Sequence, residues 1–143
     1  MEKLVYTCFC TDVIHEGHLN IIAEARKYGN VIVGVLNDRA VIRYNRFFTI
    51  PMQERIEMVK AIDGVTEVVI QEDVHYTDII QKYHPDYIVH GDNWKEYPLV
   101  SIRNRVIEQV SIYGGKVVDV PYTFNENIKR IDMRMKEKLS MPE

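Results

Sequence analysis

Five short apolar runs, rich in β-branched and aromatic residues, recur along the chain at 4–10, 31–36, 67–70, 87–90 and 116–120. Stretches of a different kind separate them. Leu19, Ile22 and Ala23 repeat at helical spacing up to a stop at Gly29, and Ile56, Val59, Lys60 and Ile62 do so between Pro51 and Gly64. Helical stretches at 76–83 and 99–113 end at Pro85 and at Gly114-Gly115. Pro suits a first helical turn and Gly a helix end. A last amphipathic helix is expected at 127–139, and a loop, or a short helix and a loop, at 41–48. Uninterrupted apolar runs of this length are expected of strands buried on both faces, and such strands belong to parallel sheets covered by helices.

Strand, helix and strand fit within the first 36 residues, which makes a βαβ unit. Right-handed crossovers then wind the chain both ways. The expected fold is α/β: a Rossmann-like, doubly wound, five-stranded parallel sheet with helices on both faces. A chain of 143 residues fits one domain, 1–143, with a sizeable core. Its 46% hydrophobic and 27% charged residues are those of a soluble globular protein. The net charge of -3 argues against nucleic acid as a partner. No apolar stretch nears the roughly 18 residues of a membrane span. Met1-Glu2-Lys3 leads straight into the first run, so no leader is expected, and Cys8 and Cys10 are too close for a disulfide framework. A cytoplasmic, reducing location is the expectation.

Ligands of such sheets sit outside the carboxyl ends of the strands. Polar residues gather at those ends: Thr11-Asp12 with His15-Glu16-Gly17-His18, then Asn37-Asp38, Asp92-Asn93-Trp94 and Thr123. The pair His15 and His18 stands where a strand gives way to a helix. Two imidazoles, the first N–H groups of the helix and its dipole all favour an anion there, and Gly17 lets a bulky one approach. A phosphate is the natural guest. The same residues could serve only to cap the helix. A zinc site of Cys8, Cys10 and the two histidines is a further reading, since strand residues two apart share a face. Against it, the cysteines lie in a run that should be buried and the spacing is not that of a zinc finger, so no protein-held metal is expected.

With these pieces placed, the chain resembles the nucleotidyltransferase superfamily with the HxGH signature, and within it the cytidylyltransferases. The likeness is carried by Asp12 and His15-Glu16-Gly17-His18, by the strand end Val33-Gly34-Val35-Leu36-Asn37-Asp38, by Glu54-Arg55 and by Val89-His90-Gly91-Asp92-Asn93-Trp94. The last is similar to the GDxW element of glycerol-phosphate and ethanolamine-phosphate cytidylyltransferases. The stretches 87–96 and 114–123 look more like cytidylyltransferase domains associated with phosphonate biosynthesis.

The resemblance implies a reaction. CTP, or alternatively ATP, would react with a small phosphorylated or phosphonate acceptor to give a nucleotide-linked product and pyrophosphate. It implies roles as well. His15 and His18 would donate to the triphosphate, each such donor being worth roughly 3–4 kcal/mol. Cys10 and Thr11 would wrap the nucleotide through their backbone. Arg46, or Arg43, would stand in for a mobile lysine. Arg55 would neutralise phosphate or hold the loop, Asp92 and Asn125 would lie near the nucleotide, and Asp38 and Trp94 near the acceptor. Mg²⁺ would accompany the triphosphate, held mainly by phosphate oxygens and water. A homodimer is expected from the same likeness.

The chain also departs from the pattern. Relatives carry a hydroxyl motif, ISTT or ISST, before the last helix, whereas Phe124-Asn125-Glu126-Asn127-Ile128 stands here and brings an acid towards the expected anion. Asp63 stands where glycerol-phosphate relatives have a basic residue. A nucleotide-binding module without catalysis is therefore a second expectation. A nicotinamide-dependent oxidoreductase ranks low, because the first turn lacks the glycine fingerprint.

Overall fold

The computed structural model describes residues 2–9, 14–43, 50–96, 99–121 and 130. Five strands, β1 (Leu4–Phe9), β2 (Asn30–Leu36), β3 (Val65–Gln71), β4 (Tyr87–Gly91) and β5 (Lys116–Val120), form one sheet in the order β3-β2-β1-β4-β5. Every neighbouring pair is parallel. The order reverses after β3, so the doubly wound α/β sheet expected from the sequence is the fold, and the crevice for a ligand opens where β1 lies between β2 and β4.

Alternation along the strands sorts the core into two layers. Val5 and Phe9 face one side with Val31, Val33, Val35 and Val89, against Ile22 and Ala25 of α1 (Glu16–Arg26) and Val59 of α3 (Met52–Lys60). Tyr6, Ile32 and Ile88 face the other, against Ile79 and Ile80 of α4 (Thr77–Tyr83) and Val106 and Val110 of α5 (Val100–Ser111). Helices thus cover both faces. On the second face Gly34 leaves the room that Tyr6 fills: a Cβ at Gly34 would come within 1.7 Å of the Tyr6 hydroxyl, which donates to Gln71 Oε1 over 2.6 Å.

Four of the differences from the sequence expectation have a visible physical cause. Helix α1 starts at Glu16 rather than near Leu19, because His15 caps it. Pro51 is the residue before α3 rather than inside its first turn. The stretch after β2 is helical from Asp38, forming α2 (Asp38–Arg43), because Asn37 Oδ1 accepts from Ala40 N over 2.9 Å and an acid opens the first turn. Strand β3 is longer than 67–70 and is not buried on both faces. It is an edge strand, and Thr66, Glu67 and Ile70 are exposed. The expected helix at 127–139 lies outside the described residues, Arg130 apart.

Candidate active site

The turn from β1 into α1 carries the two imidazoles. His15 is the residue before the helix, with extended backbone, and its Nδ1 accepts from Gly17 N over 3.0 Å. His18, three residues on, returns the bond: its Nδ1 accepts from His15 N over 3.2 Å. This reciprocal capping satisfies donors that a helix start would otherwise leave unpaired. It also sets the chemistry. A neutral imidazole that accepts at Nδ1 carries its proton on Nε2, so both rings are fixed as Nε2–H donors. The rings lie 4.2 Å apart, and the edge of Phe9 supports His18 at 4.7 Å. Capping and phosphate binding are therefore not rival readings of the pair, since each ring caps through Nδ1 and carries its N–H on Nε2. One sequence expectation is corrected. The Gly17 N–H, offered there to an anion, is taken by the His15 ring, and His18 N donates to His15 O over 3.0 Å.

The neighbouring strand end, that of β2, carries an ion pair. Arg55 of α3 is 2% exposed; its Nη1 donates to Leu36 O over 3.3 Å, and its Nη2 donates to Asp38 Oδ1 and to Met52 Sδ. Asp38, about half exposed, covers the guanidinium from the solvent side. Of the two roles considered for Arg55, this geometry is that of a residue holding the chain after β2, at the start of α2. Arg43 lies at the end of α2 with Nη1 3.9 Å from Asp73 Oδ2. Asp63 lies in the turn before β3, at the opposite edge of the sheet from the strand ends, near Arg26.

On the other side of β1, β4 ends in a 3-10 turn, Asp92–Lys95. Trp94 does not line an open surface, as an acceptor contact would. Its side chain is 1% exposed and belongs to the second core layer. The indole stacks on His90 at 4.1 Å with the rings 7° from parallel, and Nε1 donates to Asp119 Oδ1 over 2.6 Å. Arg103 grips the same carboxylate twice, Nε to Oδ1 over 3.1 Å and Nη2 to Oδ2 over 2.8 Å. Burial would raise the Asp119 pKa, but the bonds from Arg103 and Trp94, with the charges of Arg103 and Lys95, hold it below the usual carboxylate range. Burial pushes His90 down to about 4 against the smaller opposing pulls of Gly91 O and Asp119, so its ring is neutral near pH 7.

The structure thus places His15 and His18, Asp38 with Arg55, and Asp92 at the carboxyl ends of three adjacent strands, β1, β2 and β4. Cys10, Thr11, Asp12, Arg46, Thr123, Asn125 and Glu126 lie outside the described residues. Among the described residues no three His, Cys, Asp or Glu side chains group as a metal site would. A cavity of about 530 Å³ opens beside β3, lined by Ile56, Gln71, Asp73, His75 and Asp78 among others, and holds none of the expected site residues. Sequence reasoning missed Asp119, Arg103 and the stacking of His90. A signal was present: Asp119 is an acid in a run otherwise fit for burial, Val117-Val118-Asp119-Val120.

A doubly wound sheet with an HxGH fork at its first crossover defines an HxGH nucleotidyltransferase-type domain. Residues 5–134 match the family model described as Cytidylyltransferase-like, and the chain belongs to that family. It is 36% identical over 95 residues to an ethanolamine-phosphate cytidylyltransferase of Arabidopsis thaliana, covering 62% of this chain and 23% of that protein. It is 28% identical over 133 residues to the bifunctional protein HldE of Desulfatibacillum aliphaticivorans, covering 91% of this chain and 26% of that one. The chain spans about a quarter of the length of these curated relatives. A lipopolysaccharide core biosynthesis protein of Thermoplasma volcanium GSS1 shares the fold, with a TM-score of 0.71 at 16% identity over 88% of this chain and all of that one. No helix among the described residues is long and apolar enough to cross a membrane.

Proposed function

We propose that the chain transfers a nucleotidyl group from a nucleoside triphosphate, CTP in the first place, to a small phosphorylated or phosphonate acceptor. An acceptor oxygen attacks the α-phosphorus in line; the new P–O bond forms as the bond to the bridging oxygen breaks, and pyrophosphate leaves. Such a transfer needs orientation and neutralised charge more than covalent help. The observation that carries the reading is the reciprocal capping of His15 and His18, which fixes both as neutral Nε2–H donors at the start of α1. Donors fixed in advance lose no reorganisation energy as charge grows on the departing oxygens. Asp92 is assigned to the nucleotide, Asp38 to the acceptor's surroundings and Arg55 to holding the start of α2, where Asp38 stands. Cys10, Thr11, Arg46 and Asn125 keep the roles that the likeness implies. The name of the Arabidopsis relative supports both CTP and a phosphorylated acceptor.

Mg²⁺ enters this reading with the triphosphate. The described residues offer no cluster of three ligands, and an ion that keeps phosphate and water ligands fits such a surface. Bound there, it would offset phosphate charge. The test is pyrophosphate release by the full chain with CTP or ATP, Mg²⁺ and a panel of phosphorylated alcohols, amines, sugars and phosphonates. Turnover with CTP supports the reading, and turnover with ATP alone moves it to an adenylyltransferase. One observation favours a second reading, a nucleotide-binding module without catalysis: Asn125-Glu126-Asn127 stands where hydroxyls are expected. Stabilisation by CTP without turnover, unchanged in His18→Ala, would support that one.

A further inference from the structure

Asp119 is the only acid in β5, and its register partner in β4 is His90. A half-buried carboxylate costs desolvation that an apolar residue would avoid, so what it holds is informative. It holds Trp94. The indole is fixed in plane by the His90 ring beneath it and in rotation by the bond from Nε1 to Asp119 Oδ1. Arg103 of α5 fixes the carboxylate in turn by its two bonds, and Lys95 Nζ lies 3.7 Å from Oδ2. Trp94 sits in a turn of four residues, Asp92–Lys95, whose backbone cannot move independently of the anchored ring. The residue before that turn, Gly91 at the end of β4, is the one that meets α1. A Cβ at Gly91 would lie 3.1 Å from Asn93 Oδ1 and 4.0 Å from Ile21 Cδ1. The turn thus follows a strand end that lies beside the helix headed by His15 and His18, and Asp119 holds the ring within it.

We propose that Asp119 is a positioning residue for nucleotide binding: by anchoring Trp94 it fixes the Asp92–Lys95 turn at the end of β4 and so sets where Asp92 meets the nucleotide. This inference rests on the nucleotidyl-transfer reading above. It assigns Trp94 to the anchor rather than to the acceptor. Arg103 and Lys95 are the cations that face the carboxylate, and His90 is the neutral face on which the indole rests.

The chain has one tryptophan, so its fluorescence reports Trp94 alone. The full-length wild type is compared with Asp119→Asn, Asp119→Ala, Asp119→Glu and Val120→Ala, the last a buried neighbour that belongs to the other core layer. Emission is read without nucleotide, circular dichroism checks folding, and kcat and KM for CTP come from pyrophosphate release. Asp119→Ala should shift the emission and raise KM about tenfold while kcat stays within about threefold, the signature of a misplaced binding group. Asp119→Asn, which keeps an acceptor for Nε1, should fall between, and Asp119→Glu should recover part of the KM. Unchanged emission and KM in a folded Asp119→Asn and Asp119→Ala would overturn the proposal. So would an equal rise of KM in Val120→Ala, which would mark a general loosening. If the wild type neither binds nor turns over CTP or ATP, the nucleotidyl-transfer reading falls and this inference falls with it. Failure in the variants alone overturns only the role of Asp119.

Discussion

The two ends of the site, at β1 and at β4, are held in opposite ways. At β1 the capping bonds of the histidine pair run between residues two to four apart, from His15 N to His18 Nδ1, from Gly17 N to His15 Nδ1 and from His18 and Leu19 N to His15 O. At β4 the partners come from far along the chain: Asp119 is 25 residues from Trp94, and Arg103 is 16 from Asp119. A locally closed motif is written in sequence order and forms wherever the helix forms. A motif closed through tertiary contacts forms only when β4, β5 and α5 are already in place. The first can lose activity with little loss of stability, whereas the second cannot be disturbed without touching the core.

Trp94→Ala should be the most damaging change to the fold. It empties a buried site and leaves the ionised Asp119 short of a donor, so a stability loss of about 3–5 kcal/mol is expected, read as the urea midpoint by circular dichroism. A loss under 1 kcal/mol would remove the contrast between the two ends. His18→Ala tests the other end. Turnover should fall about 10²- to 10³-fold for the lost donor, with roughly 1 kcal/mol of stability lost with the cap. A large stability loss with little kinetic effect would make the pair structural.

His90 gives the β4 end a pH dependence. Its folded pKa of about 4 lies below the unfolded value of 6.5, so the unfolded chain binds the proton first. Stability is then complete above about pH 6.5 and declines as pH falls towards 4. The ring is only partly buried, so a loss of about 2 kcal/mol is expected rather than the full value of the shift. Urea midpoints between pH 7 and 4.5 measure it, and His90→Phe, which keeps the stack without titrating, should flatten the curve. Equal slopes in the two chains would refute the assignment. The smallest effect on stability belongs to His15→Asn. Asn caps helices well, so the midpoint should move by no more than about 0.5 kcal/mol while turnover falls with the loss of the imidazole. Retained turnover would leave His18 as the pair's sole donor.

Much of this fold could be read without coordinates. The five runs become the five strands because a strand covered on both faces must be apolar throughout, and that pattern survives in one dimension. The edge strands are the exceptions: β3 reads like the others at Val68-Val69-Ile70, although its place at the edge of the sheet exposes Ile70. The histidine pair was equally legible, down to the two uses open to it, since its bonds span a few residues. What could not be read was which groups meet across the sheet. Trp94 looked like a site residue from its neighbours Gly91, Asp92 and Asn93, and Asp38 and Arg55 looked like separate site residues.

The sequence by itself determined the alternation of strand and helix, the parallel sheet and the fork at the first crossover, because each depends on spacing within about ten residues. Only the tertiary structure decided that Arg55 closes on Asp38 and that Asp119 anchors Trp94. Those pairings depend on which strands become neighbours, and they hold because a buried charge is tolerated only where a partner brought in from elsewhere in the chain meets it.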